Sequence, residues 1–180
     1  MLILNGSPNK NGHTMRLAKD IFGNGGHNVL HLYDLDIKSC DDCKLCQKKI
    51  GCKYNQDDWP KLHDALQDEE TLVLVSPIYF GTLTDKLLAA LNRFQQVFAA
   101  KFTHKAETPG VKHLYLVTTC GADNSVMFEG VEITMTILKQ LLSAKHMHVF
   151  SLANTDNENQ AFKQERIETF QAIVKKDAEG

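Results

Sequence analysis

Apolar residues along the chain fall into short blocks that alternate with stretches of helical spacing. Leu2-Ile3-Leu4 is the first strand-length block. Leu17, Ala18, Ile21 and Phe22 then recur at helical intervals, and Gly23-Asn24-Gly25-Gly26 offers the positive-φ residues that end a helix. Val29 to Leu32 predicts a second strand. From Asp34 to Gln56 the pattern lapses. It resumes at Asp57-Asp58-Trp59-Pro60, a helix start with Trp59, Leu62, Ala65 and Leu66 on one face. Thr71 to Val75 is a third strand, and Leu87, Leu88, Leu91, Phe94 and Phe98 mark a long helix. Leu114 to Val117, a helix over Val131 to Leu142, Val149 to Leu152 and a closing helix over Phe162 to Val174 complete the series.

Strands without polar alternation are buried on both faces, as in a parallel sheet covered by helices on each side. Five such strands predict an α/β three-layer sandwich, and right-handed crossovers favour a parallel sheet of order 2-1-3-4-5. A ligand is then expected beyond the carboxyl ends of the strands, between the loops that follow strands one, three and four. The span 1–180 is expected to be a single domain with a Cys-rich insertion at 34–56, too long to be idle in so compact a chain.

Composition narrows the partners. Twenty basic against 22 acidic residues give a formal charge of −2, which carries no footprint for nucleic acid or an anionic membrane. No apolar run approaches the roughly 18–20 residues that span a bilayer, and Met1 leads straight into a strand, so a cytoplasmic protein is expected. Its five cysteines are then expected to be thiols or ligands.

The first loop, Gly6-Ser7-Pro8-Asn9-Lys10-Asn11-Gly12-His13-Thr14, has little to bury. Between a strand and a helix, its backbone N–H groups and the positive end of the helix dipole can receive a phosphate, helped by Ser7, Asn9, His13 and Thr14. It has neither the Walker spacing nor GxGxxG, and neutral donors anchor a phosphate without transferring it. The bland alternative is a polar connection with Thr14 as an ordinary N-cap. Ser76-Pro77-Ile78-Tyr79-Phe80-Gly81 follows the third strand and Thr118-Thr119-Cys120-Gly121-Ala122-Asp123 the fourth. Tyr79 and Phe80 offer flat apolar surface to a ring system. A phosphate site beside an aromatic slot suits flavin mononucleotide.

GSPNKNGHT, SPIYFGTLTDKLLAALNRF and the Cys-rich segment ending GCKYNQDDW together resemble the NADPH-dependent FMN reductases of flavodoxin-like fold, particularly their iron–sulfur flavoprotein branch. The resemblance runs from Met1 to about Asp123. It implies that Ser7, Asn9, Gly12, His13 and Thr14 hold the FMN phosphate. Pro77, Ile78, Tyr79, Phe80 and Gly81 would border the isoalloxazine ring, with Thr119, Cys120 and Gly121 on its other side. It further implies NAD(P)H as co-substrate, a small acceptor such as flavin or quinone or else a redox protein, and a homodimer or homotetramer. No side chain is assigned a catalytic role, because the chemistry belongs to the cofactor. The chain departs from the family in having Asn92-Arg93 where Asp-Arg is frequent, and in a short first strand that leaves the centre of the sheet lightly anchored.

Cys40-x2-Cys43-x2-Cys46-x5-Cys52 is the sharpest local pattern. Three cysteines within seven residues suit a compact [4Fe–4S] cluster better than a structural zinc with two separated knuckles. Asp41 and Asp42 oppose an anionic cluster, Lys44, Lys48, Lys49 and Lys53 offset them, and unligated structural thiols remain an alternative. Cys120 has no base placed to activate it. Asp34 and Asp36 lack the glycine fingerprint that would make either a ribose ligand. His146 and His148 alternate on one strand and could share a metal, but no third ligand is apparent, and a half-buried strand face accounts for them. An electron carrier, and a colourless phosphate-binding module of the same fold, compete with the reductase reading.

Overall fold

The computed structural model describes residues 1–122, 124–157 and 160–180. Its strands are β1 (Leu2–Asn5), β2 (Asn28–His31), β3 (Thr71–Pro77), β4 (His113–Thr119) and β5 (His146–Leu152). All pairings are parallel, in the expected order β2-β1-β3-β4-β5. The helices are α1 (His13–Phe22), α2 (Leu45–Lys48), α3 (Trp59–Gln67), α4 (Asp85–Arg93), α5 (Gln95–Phe98), α6 (Glu129–Leu141) and α7 (Gln160–Glu179).

The period-two alternation of a strand sorts the core into two layers. Leu2, Leu4, Leu72, Leu74, Leu114 and Leu116 face α3, α4 and α6 through Leu62, Leu66, Leu87 and Met135. Ile3, Val73, Val75, Tyr115 and Val117 face α1 and α7 through Leu17, Ile21, Ile167 and Phe170. Every residue of β1 is buried and pairs on both sides, so the expectation of a lightly anchored central strand is corrected. Two neighbouring strands, not length, hold it.

The long helix expected through Phe98 is also corrected. Its apolar stripe continues, but the helix divides at Phe94 into α4 and α5 and runs on as a π-helical segment, Ala99–Thr103. Phe94 at the break packs edge-on against Trp59, with ring centroids 5.2 Å apart. The Cys-rich segment holds only the one-turn α2, and α7 extends beyond the expected helix at both ends. Among the described residues no helix is long and apolar enough to cross a membrane.

Candidate functional site

The loop after β1 is shaped from beneath by Asn5, which is fully buried and accepts the Ser7 N–H on Oδ1 at 2.9 Å. The Ser7 hydroxyl donates to the Asn9 carbonyl at 3.0 Å, and Asn9 Oδ1 accepts the Asn11 N–H at 3.1 Å. These short-range bonds coil the segment into the start of α1. Gly12 allows the coil to close, since a Cβ there would stand 3.2 Å from both Asn9 Cβ and its carbonyl oxygen. The first intrahelical bond runs from Arg16 N–H to Gly12 O at 3.0 Å, and no side chain caps the helix. The N–H groups of His13, Thr14 and Met15 are therefore presented together at the positive end of the dipole, as a phosphate requires.

Two side chains differ from expectation. Thr14 is buried, and its Oγ1 lies 2.6 Å from Thr119 Oγ1, so the hydroxyl joins the first loop to the end of β4 and is neither a free donor nor an N-cap. Thr14 can serve a phosphate through its backbone N–H. Arg16, exposed one turn into α1 with its guanidinium 3.4 Å from His13 Nδ1, adds a positive charge that sequence reading missed. A cation at the fourth position of the helix was the available signal. Lys10 is instead committed to Asp34, and Asp36 to Lys38.

The loop after β3 is a two-residue hairpin turn. Tyr79 and Thr82 exchange backbone bonds at 3.0 and 3.1 Å, with Phe80 at φ 53° and Gly81 at φ 74° between them. Positive φ at both central positions is a type I′ turn, which glycine adopts freely and phenylalanine does not. Phe80 is nevertheless fully exposed and Tyr79 half-exposed. The strained, solvated Phe80 is not there for the core. Ile78, by contrast, is buried, and its N–H is spent on Thr119 O at 2.8 Å, so it offers the crevice no free backbone donor. Thr84, unremarked in the sequence, ties this loop to the first by donating Oγ1–H to the Gly6 carbonyl at 2.6 Å, while its N–H meets Ser76 Oγ at 3.2 Å.

In the third loop Cys120 is buried and donates Sγ–H to Ala122 O at 3.0 Å, a packed thiol without a base. A Cβ on Gly121 would stand 2.5 Å from a carboxylate oxygen of the exposed Asp156 side chain, so glycine lets that carboxylate lie against the loop backbone. Asp123 lies outside the described residues. The three loops thus meet at the carboxyl ends of β1, β3 and β4, where β1 hands the chain toward β2 on one side and β3 on the other.

Beside the crevice, Tyr33 donates its hydroxyl to Asp85 Oδ1 at 2.6 Å, and burial with that bond pushes the Tyr33 phenol up to about 12. A phenol whose folded pKa exceeds its unfolded value near 10 stabilises the fold fully below that pH and progressively less up to its folded value. Stability is therefore expected to decline between pH 10 and about 12, with Tyr33 still protonated at pH 10.5 in an absorbance titration of the native chain and with the decline reduced in Tyr33→Phe, the remainder coming from the Tyr115 phenol, which burial and its bond to Asp177 also push up.

The cysteine loop forms a second centre. Cys40, Cys43, Cys46 and Cys52 all line one cavity of about 60 Å³ together with Arg93 and Gln96. Asp42 and Lys44 hold left-handed φ of 58° and 59° on either side of Cys43, which wraps the chain around it. Asp41 is paired with Lys53 and Asp42 with Lys44, so the acidic residues do not confront the cysteines as bare charges. Burial, and then the neighbouring thiols, push the Cys46 thiol up. Sulfurs on one tetrahedral zinc stand about 3.8 Å apart. Among the described residues no three cysteine sulfurs lie within 4.8 Å of one another, a wider spacing than a single zinc takes.

Arg93 closes this loop. Its side chain is 1% exposed; Nη1 pairs with Asp57, itself 4% exposed, and donates to Lys38 O at 3.1 Å, while Nη2 donates to Tyr54 O at 2.6 Å. One guanidinium therefore fastens both ends of the segment. The carboxylate it needs comes from Asp57, while Asn92 donates to Ser39 Oγ at 3.3 Å beside Cys40. A larger cleft of about 530 Å³ opens along the flank of the loop, sharing Cys52, Tyr54 and Gln96 with the cysteine cavity.

A family profile described as NADPH-dependent FMN reductase matches residues 1–156. The chain belongs to that family. Among individual relatives of this FMN reductase-family chain, an iron–sulfur flavoprotein of Archaeoglobus fulgidus is 33% identical over 97 residues, 52% of this chain and 47% of the relative. The chain spans less than half the length of the curated relatives it matches. An NAD(P)H:quinone oxidoreductase from Methanothermobacter marburgensis superposes with a TM-score of 0.70 at 12% identity, covering 95% of this chain and 92% of that one. An FMN-dependent NADH-azoreductase from Bacillus anthracis, solved in complex with FMN, gives 0.67 at 12% identity and covers 97% of both chains. These likenesses establish the flavodoxin-like fold.

Proposed function

We propose that this chain binds FMN where its three loops meet and works as an NAD(P)H-dependent oxidoreductase that passes electrons to a small acceptor such as flavin or a quinone. The uncapped start of α1 carries the reading: three adjacent backbone N–H groups, with Arg16 and His13 beside them, suit the phosphate of a mononucleotide. FMN, once bound, supplies the capacity to take electrons from reduced nicotinamide and return them to a second substrate.

The residues of the chain bind and orient. Ser7, Asn9 and Gly12 set the loop, and His13 and the N–H groups of His13 and Thr14 hold the phosphate. Thr119 fixes Thr14, and the strand-end loops supply backbone donors. Gly81 and Phe80 keep their N–H groups outside the hairpin's own bonds, free to meet a ring edge. Tyr79 and Phe80 give it an apolar wall, and Gly121 brings the third loop close. The open, aromatic rim favours a homodimer or homotetramer in which a second copy covers it, with 1–180 acting as one FMN-binding unit.

Phe80→Gly separates function from stability. Relief of the left-handed strain is expected to stabilise the fold by about 1 kcal/mol, since the exposed ring buries nothing, while FMN affinity falls. Thermal denaturation and an FMN titration on the same variant check both signs.

The four cysteines around one cavity favour a second reading, an iron–sulfur flavoprotein in which a [4Fe–4S] cluster held by Cys40, Cys43, Cys46 and Cys52 relays electrons to a redox protein at the flanking cleft. Iron, sulfide and FMN assays on protein purified without air, followed by steady-state NADH and NADPH oxidation with quinone, separate the two. FMN with turnover and no iron supports the reductase; about four irons per chain with poor nicotinamide turnover supports the carrier. Protein that neither carries nor takes up FMN removes both.

A further inference from the structure

At the opposite end of the sheet from the crevice, the amino ends of β4 and β5 meet the last turn of α7. His146 Nδ1 and His148 Nε2 each lie 3.2 Å from an oxygen of Asp177, and one donor atom from each of the three residues falls within 4.8 Å of the others. The histidines stand two apart on an edge strand and so project to one face. The third member comes from a helix 29 residues further on, which local spacing cannot reveal.

We propose that His146, His148 and Asp177 form a binding site for a divalent transition metal, with zinc the ion whose chemistry it fits best. Two donors held at about 2.0–2.1 Å by one ion stand about 2.9 Å apart at right angles and about 3.4 Å apart at the tetrahedral angle, and 3.2 Å lies between. Two imidazoles and a carboxylate are a borderline donor set that suits zinc, and not calcium or magnesium.

The surroundings favour an ion over a simple polar contact. Asp177 is 7% exposed and sits where the α7 dipole is negative, so a carboxylate there needs nearby positive charge. Among the described residues its ion-pair partners are the two imidazoles alone, and neither contact is a directed hydrogen bond. The Tyr115 hydroxyl donates to Asp177 Oδ2 at 2.8 Å, the kind of outer partner that orients a metal-binding carboxylate. Tyr115 stacks on His148 and His113 on His146, with centroids 6.0 and 5.4 Å apart, which fixes both rings. His146 faces the carboxylate through Nδ1. Both histidines are about one-third exposed, which gives an ion an entry path and leaves coordination positions for water. Such an ion clamps α7 to the edge strand.

Cobalt(II) serves as the spectroscopic probe and zinc as competitor on the full chain, with the cysteine cavity removed from the readout by Cys40→Ser/Cys43→Ser/Cys46→Ser/Cys52→Ser. Thiols of the wild type blocked with iodoacetamide serve the same purpose should that variant fold poorly. The expected result is one equivalent of cobalt with weak visible bands and no thiolate charge-transfer absorption, displaced by zinc. His148→Gln weakens it about 100-fold or more, and Tyr115→Phe about 10–100-fold. Zinc raises Tm in the thiol-blocked wild type but leaves the Tm of thiol-blocked His148→Gln unchanged from its own metal-free value. No cobalt or zinc bound once the thiols are removed, or binding unchanged in His148→Gln, overturns the proposal.

Discussion

Arg93→Ala is expected to lower stability by about 3–5 kcal/mol, the cost of leaving one partner of a buried ion pair unpaired. An exposed pair contributes only about 0–1 kcal/mol, and the difference lies in burial: Arg93 is 1% exposed and Asp57 4%. The substitution leaves the Asp57 charge without its cation, held only by the Lys38 and Trp59 N–H groups, and removes the donors to the carbonyls of Lys38 and Tyr54. Because these groups sit at the two ends of the cysteine segment, the loop opens as well. Urea denaturation reads the first effect and the rate of thiol modification at Cys40 and Cys46 the second. Arg93→Met combined with Asp57→Asn removes both charges and is expected to recover part of the loss; an equal loss in the double variant contradicts the ion-pair explanation.

Gly6→Ala is the second large effect. A Cβ at Gly6 would lie 2.8 Å from Leu87 Cβ and 3.0 Å from Thr84 Oγ1, and neither neighbour is the far end of a flexible side chain. Overpacking of this kind costs about 1–3 kcal/mol. The strain falls where the first loop, the hairpin turn and α4 are tied by the Thr84–Gly6 bond, so the first loop shifts with it. A loss of FMN affinity of about tenfold or more is expected alongside, since a shift of that order is worth roughly 1.4 kcal/mol. Gly25→Ala, whose Cβ enters open space, is the control and stays within about 0.5 kcal/mol.

Sheet order and layer assignment were legible because Leu2 to Leu4, Thr71 to Val75 and Leu114 to Val117 have no polar face to turn outward, and parallel crossovers then leave few arrangements. The loops were legible for a related reason, since a polar Gly-rich run next to a buried strand has no packing role. What stayed hidden depends on contacts between distant residues. Nothing local marks Arg93 as buried rather than a solvated helix residue, nor Asp57 as its partner. Thr14 reads as a hydroxyl in a phosphate loop, and only the fold brings Thr119 within 2.6 Å of it. Phe80 was noticed as an aromatic, but its left-handed backbone, the sign that something other than packing holds it there, appears only with the turn built. The third member of the His146 and His148 cluster was invisible for the same reason.

FMN titrated into flavin-free protein, with riboflavin in parallel, tests the central claim most directly. If the start of α1 holds the phosphate, FMN binds at one per chain and riboflavin, which lacks that group, binds at least about 100-fold more weakly, with the gap narrowing in Arg16→Ala. Equal affinity for the two flavins, or no uptake of either, would contradict an FMN site built on this loop.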